Sequence, residues 1–141
     1  MKLNPDCIRD VLLYLEENLE VKDGHKFTKT TLSQLQNALS QYLPDDVFYS
    51  VYNLYQIQFI DGKINDINDM KMFFCEIDNI TWNGHQFLNS IRPKTVWEVT
   101  KQGASKLGIM SMHALSTMAM KITEAVVTNP TVIAKIIEHM E

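Results

Sequence analysis

Apolar residues recur at helical spacing through the first part of the chain, alternate briefly, and then return to helical spacing. Asn4 can cap and Pro5 suits a first helical position. Ile8, Val11, Leu12, Leu15 and Leu19 follow three and four apart, predicting an amphipathic helix with Asp10, Glu16, Glu17 and Glu20 toward solvent. VKDGHKF at 21–27 breaks the pattern at Asp23 and Gly24 and predicts a loop with a short strand. A second helix from Thr30 or Thr31 places Leu32, Leu35, Leu39 and Leu43 on one face, with Pro44 as the break. A third starts at Asp45 or Asp46, with Val47, Val51, Leu54 and Gln58 in one stripe and Phe48, Tyr52, Tyr55 and Phe59 beside it. A helix apolar around so much of its circumference is expected at the centre of a core.

After Asp61-Gly62 the period changes. KINDI, a turn at Asn68-Asp69 and KMFFCEID predict a β-hairpin. The stretch ITWNGHQFLNSIR, 80–92, then admits two structures. Asn83-Gly84 is a hairpin dipeptide, but Thr81 can cap, and Gly84, Phe87, Leu88 and Ile91 repeat at helical spacing, which favours a helix. Gly84 inside that helix costs about 1 kcal/mol relative to Ala, which is reasonable if another backbone packs against it. Trp82 and Gly84 are expected to pack, and His85 to lie at the surface.

The expected fold is mainly α with a small β-hairpin (α+β): a winged helix-turn-helix-like domain over 1–92 and a helical extension over 93–141. In the extension, Val96, Trp97, Thr100, Ala104 and Leu107 form one helix that Gly108 can end. Residues 109–127 form a methionine-rich helix with Leu115, Ala119, Ile122 and Val126 on one stripe, and Ile133, Ile136, Ile137 and Met140 form a short last helix after Asn129-Pro130. The methionine-rich helix could cover the core, join two copies or lie on a membrane. With Lys121 its only basic residue, membrane contact is disfavoured. Self-association through Met112, Leu115, Met118, Ala119 and Ile122 is preferred, with core packing close behind.

Bulk properties narrow the classes. The chain has 141 residues, enough for one domain with a real core, and is 45% hydrophobic and 21% charged. No apolar run reaches the roughly 18 residues of a membrane span. MKLNPDCIRD lacks the apolar core of a signal peptide, so a cytoplasmic protein without membrane contact is expected. Cys7 and Cys75 have no CxxC or Cys/His pairing, and buried thiols are the expectation. Residues 1–91 hold seven Lys/Arg against thirteen Asp/Glu, and residues 92–141 hold six against four.

MKLNPDCIRDVLLYLEENLE together with ITWNGHQFLNSIR resembles a family of short bacterial and phage proteins catalogued only as a domain of unknown function. The resemblance covers roughly residues 1–107. It implies a winged-helix-like domain, often encoded by phages or prophages, and carries no catalytic residues. Thr81, Trp82, Gly84, His85, Phe87 and Leu88 are also similar to the last helix of many winged-helix regulators.

No chemistry assembles from the remaining residues. His25, His85, His113 and His139 lack metal-ligand spacing, and neither Asp45-Asp46 nor Asp66 with Asp69 has a partnering His, Lys or glycine-rich loop. No catalytic residue, metal or cofactor is expected, and an enzyme is disfavoured.

The remaining choice is between nucleic acid and protein as partner. Residues 44–62, PDDVFYSVYNLYQIQFIDG, contain no Lys or Arg, although a DNA-reading helix needs cations around it to neutralise phosphates. A protein partner, such as a host or defence component, is therefore expected at Asp45, Tyr49, Tyr52, Asn53 and Gln56, since aromatic residues suit desolvated interfaces. At least one of the tyrosines is expected in the core. The alternative is a DNA-binding transcriptional regulator with phosphate contacts from Lys22, Lys26, Lys29, Lys63 and Lys71.

Overall fold

A computed structural model describes residues 1–67, 72–129, 131, 134, 135, 138 and 139. The chain divides into two compact units, Met1–His85 and Gln86–Glu141. The fold is mainly helical with small antiparallel sheets. No helix among the described residues is long and apolar enough to cross a membrane.

The first helix, α1 (Pro5–Asn18), begins as its sequence predicts: the Asn4 side chain accepts the Cys7 N–H at 3.2 Å, and Pro5 opens the first turn. Cys7, Ile8, Val11, Leu12 and Leu15 are buried along one stripe. Strands β1 (Val21–Lys22) and β2 (Lys26–Phe27) then pair around Asp23 and Gly24, both at positive φ. Strand β3 (Thr30–Thr31) leads directly into α2 (Leu32–Ala38). Here the Thr31 side chain accepts the Gln34 N–H while the Gln34 side chain accepts the Thr31 N–H, a reciprocal cap.

Helix α2 is shorter than the leucine spacing suggests. Leu39 is its cap, and Leu43 is 69% exposed. The proline ring at position 44 disfavours helical geometry at the residue before it, and Leu43 is extended (φ −62°, ψ 143°). The turn at 39–42 is tied instead to α1 by the Tyr42 hydroxyl, which donates to Asp10 at 2.5 Å. Pro44 is thus a start and not only a break: it opens α3 (Pro44–Gln56), one residue before the expected Asp45. Val47, Ser50, Val51 and Leu54 face inward from α3 toward α1. Buried Ser50 satisfies its hydroxyl on the Asp46 carbonyl at 2.8 Å. None of Tyr49, Tyr52 and Tyr55 is buried, contrary to the expectation of a core tyrosine.

The hairpin strands are β4 (Ile60–Ile67) and β5 (Met72–Ile80), and the sheet order is β3-β5-β4. A register shift falls at Asp61/Gly62, where a Cβ on Gly62 would meet the Glu76 carbonyl. The expected turn at Asn68-Asp69 lies outside the described residues, as do Lys71 and the side chain of Asp66.

Beyond β5 the chain enters α4 (Trp82–Ile91), so the helix displaces the competing strand. Thr81 makes the junction with three bonds. Its N–H donates to the Phe59 carbonyl at 3.0 Å, its hydroxyl donates to the Gln58 carbonyl at 2.6 Å, and the same oxygen accepts the Gly84 N–H at 3.1 Å. The Phe59 carbonyl lies against the α-carbon of Gly84, where a Cβ would overlap it. The close backbone expected from a helical glycine is therefore present. Phe87, Leu88 and Ile91 are buried.

In the second unit, α5 (Lys94–Leu107) buries Val96, Trp97, Thr100 and Ala104 and ends at left-handed Gly108. Ser111 caps α6 (Met112–Thr128), which packs on α5, with Gly103 against Met118. The predicted last helix falls largely outside the described residues, including Ile133, Ile136, Ile137 and Met140.

The two helical glycines should respond differently to Ala. At Gly84 the obstacle is backbone, so Gly84→Ala is expected to lower stability by about 2 kcal/mol or more, despite the roughly 1 kcal/mol that Ala contributes in a helix. At Gly103 the obstacle is a flexible methionine side chain, and Gly103→Ala should cost less. Denaturant melts of both variants check the order.

Candidate functional site

The solvent side of α3 carries a row of rings that continues onto the hairpin. Tyr49 and Tyr52 stack with planes 9° apart and centroids 6.4 Å apart. Tyr52 lies 6.2 Å from Phe48, which meets Phe73 of β5 edge to face at 4.8 Å. Positions 45, 49, 52 and 56 follow helical spacing along this face, which explains why Tyr52 and Gln56 present themselves together.

Between α3, the hairpin and the first turn of α4 lies a groove of about 670 Å³. Its aromatic walls are Tyr52, Tyr55, Phe73 and Trp82, and its floor includes Ile60 and Ile64. Carboxamides come from Gln56, Gln58, Asn65 and Asn83, and Asp61 is the one charged residue among the described residues lining it. The Asp61 Oδ1 accepts the Gly62 N–H at 2.8 Å, which orients the carboxylate. The Gln56 amide donates to the Tyr52 hydroxyl at 2.8 Å, so its carbonyl oxygen stays available as an acceptor.

Of the five residues expected to meet a partner, only Tyr52 and Gln56 line this groove. Asp45 is exposed in the first turn of α3, and Asn53 donates to the Tyr49 carbonyl at 2.7 Å within its own helix. Trp82 corrects the expectation of a packing residue: it is 77% exposed, whereas the other tryptophan, Trp97, is 2% exposed. The helical stripe Gly84, Phe87, Leu88, Ile91 already leaves position 82 on the opposite side, so periodicity alone could have found it. Tyr55 stands with Tyr49 and Tyr52 among the aromatic residues suited to an interface, whereas Asp61, Phe73 and Asn83 are not expected at a binding face, because the groove joins segments remote in sequence.

The four described lysines of the DNA alternative are not among the residues lining the groove. Lys22, Lys26, Lys29 and Lys63 are exposed, with Lys29 3.2 Å from Glu76 and Lys26 3.8 Å from Asp23. Three of the five residues expected to join two copies, Met112, Leu115 and Ala119, are buried instead where α5 and α6 pack, while Met118 and Ile122 are half-buried. Their spacing serves equally well for a core stripe, and here it does so.

Cys7 and Cys75 are free and buried. Burial pushes the Cys7 thiol above its ordinary 9.0, partly offset by a bond with Ser50. Burial likewise pushes Cys75 up to about 11. Among the described residues no group of three or more His, Cys, Asp or Glu could hold a metal ion.

The family described as "Hypothetical protein (DUF2513)" matches residues 2–110. A relative in Haemophilus influenzae, described as an uncharacterized protein, is 27% identical over 124 residues, covering 86% of this chain and 95% of its own length. No solved structure matches.

Two measurements check this geometry. Acrylamide should quench the fluorescence of Trp97→Phe, which retains Trp82, far more than that of Trp82→Phe. The folded thiols hold their protons to higher pH than the unfolded chain. Stability should therefore be intact below the ordinary thiol value of 9.0 and fall as pH rises from there through about 11. Urea melts across that window should show a shallower fall in Cys75→Ala.

Proposed function

The chain belongs to the DUF2513 family of hypothetical proteins, and we propose that this member is a non-enzymatic winged-helix module that docks a segment of another protein between α3 and the β4–β5 hairpin. The winged-helix assignment is supported by the order α1, β3, α2, α3, β4, β5 and by the pairing of short β3 with the far side of the hairpin. In this assignment α3 is the helix that a DNA-reading relative would place in the major groove.

A protein occupant is favoured by one observation above the others. The groove beside α3 is walled by four aromatic rings, one of them the 77% exposed Trp82, and has no Lys or Arg among its described lining residues. Aromatic side chains in a concave, partly polar setting are the usual anchors of protein interfaces. A duplex would bring two closely spaced rows of phosphates against the acidic first turn of α3, where Asp45 and Asp46 lie.

A photo-crosslinking residue at position 82 of the full chain, expressed in a cell that carries its gene, should give a discrete protein adduct. Tyr52→Ala, at an exposed position, should reduce that adduct by about tenfold or more. An adduct indifferent to Tyr52→Ala would remove the groove from the interface. Sub-micromolar, steeply salt-dependent binding to the DNA upstream of its own gene, lost on changing Lys26 and Lys29 to Ala, would replace a protein partner with DNA.

A further inference from the structure

The groove combines three features that rarely suit the same ligand. The aromatic side chains of Tyr52, Tyr55, Phe73 and Trp82 favour something planar or cationic. The Asp61 carboxylate and the free carbonyl oxygen of Gln56 are acceptors that a purely apolar anchor would strip of water without replacing their hydrogen bonds. No cation offsets that carboxylate: the described lining residues include no Lys or Arg, and neither does the stretch 44–62.

The base of a nucleotide would suit the aromatic rings, but its phosphate would be brought toward the Asp61 carboxylate with no cation beside it. A carboxylate-bearing side chain is repelled outright. A lysine ammonium satisfies the charge but presents no plane to stack. A guanidinium meets all three conditions: it is planar, permanently charged and offers five N–H donors.

On the docking reading above, we infer that the groove receives an arginine side chain of the partner segment. The guanidinium stacks on the rings at the groove mouth, where Trp82 stands, and donates to Asp61. Only one Asp61 oxygen is engaged by the Gly62 N–H, so the carboxylate retains acceptor capacity for it. The segment is thus basic at its anchor and contacts a face of the chain that is itself short of cations.

The test titrates the full chain with N-acetyl-arginine amide and, separately, with N-acetyl-citrulline amide, which has nearly the same shape and no charge. The indole N–H resonance of Trp82 is followed by NMR, with buried Trp97 as the internal reference. The arginine probe should shift Trp82 in a saturable manner, leave Trp97 unmoved and bind at least about tenfold more tightly than citrulline. Asp61→Asn keeps an oxygen for the Gly62 N–H, so it should fold normally while losing most of that preference.

Equal binding of the two probes, or a preference undiminished in Asp61→Asn, overturns the arginine assignment. An arginine probe that leaves Trp82 unmoved, while the position-82 crosslink to a protein persists, overturns it and leaves the docking reading standing. A ten-nucleotide oligothymidylate that shifts Trp82 at lower concentration than the arginine probe overturns both.

Discussion

The first unit depends on a single backbone carbonyl, that of Phe59. It accepts the Thr81 N–H, and the α-carbon of Gly84 rests against it, so the end of α3, the start of β4 and the start of α4 meet at one oxygen. Reaching that point requires Gln58 to adopt positive φ, which a non-glycine residue does at some cost. Two short bonds hold the turn, one local and one from across the hairpin: Phe59 N–H to the Leu54 carbonyl at 2.9 Å and the Thr81 hydroxyl to the Gln58 carbonyl at 2.6 Å. A larger residue at position 84 would separate α4 from this carbonyl and pull Thr81 away from Gln58 and Phe59.

The groove follows from that junction. Gln58, Ile60 and Asp61 line it from one side of the Phe59 carbonyl and Thr81, Trp82 and Asn83 from the other. Their spacing is set by the contacts of the Phe59 carbonyl with Thr81 and Gly84 and by the Thr81 hydroxyl. The bulge at Asp61/Gly62 adds the remaining constraint, because it rotates the first residues of β4 relative to the rest of the strand. Asp61 therefore stands among aromatic residues while its neighbour in sequence, Gly62, packs on the Glu76 carbonyl of β5.

Much of this framework is legible in single residues with strong local preferences. Asn4 with Pro5, Thr81 before a helical stripe, and Gly108 after one each specify an end, because capping depends on a few adjacent atoms. The leucine series 32, 35, 39, 43 misleads for the complementary reason. Spacing says that residues could share a face, and Leu35 and Leu39 are buried together, but the proline after Leu43 and the Tyr42 bond to Asp10, far away in sequence, leave Leu43 out. The methionine-rich helix shows the same limit: periodicity identifies the stripe through Leu115 and Ala119 without saying whether another helix of the same chain covers it. The groove was only half legible, since Tyr52 and Gln56 lie on one helix face whereas Asp61, Phe73 and Trp82 join them only through the junction.

Trp82 bears most directly on function because folding gives it so little to do. A tryptophan side chain offers about 150–250 Å² of surface for burial, worth several kcal/mol at about 25 cal/mol per Å², and position 82 leaves most of that unused. The stripe of α4 needs only Gly84, Phe87, Leu88 and Ile91, and the cap is made by Thr81, so a small polar residue at 82 would serve the helix equally well. The same holds for Tyr52 on α3, 40% exposed while Val47, Val51 and Leu54 supply the core. Two aromatic side chains from different elements, each dispensable to its own helix, converge on one concavity with a carboxylate beside them. Exposed apolar surface gathered in this way is what the proposed docking rests on, and the shortage of cations around it is why that proposal gives the docked group a positive charge.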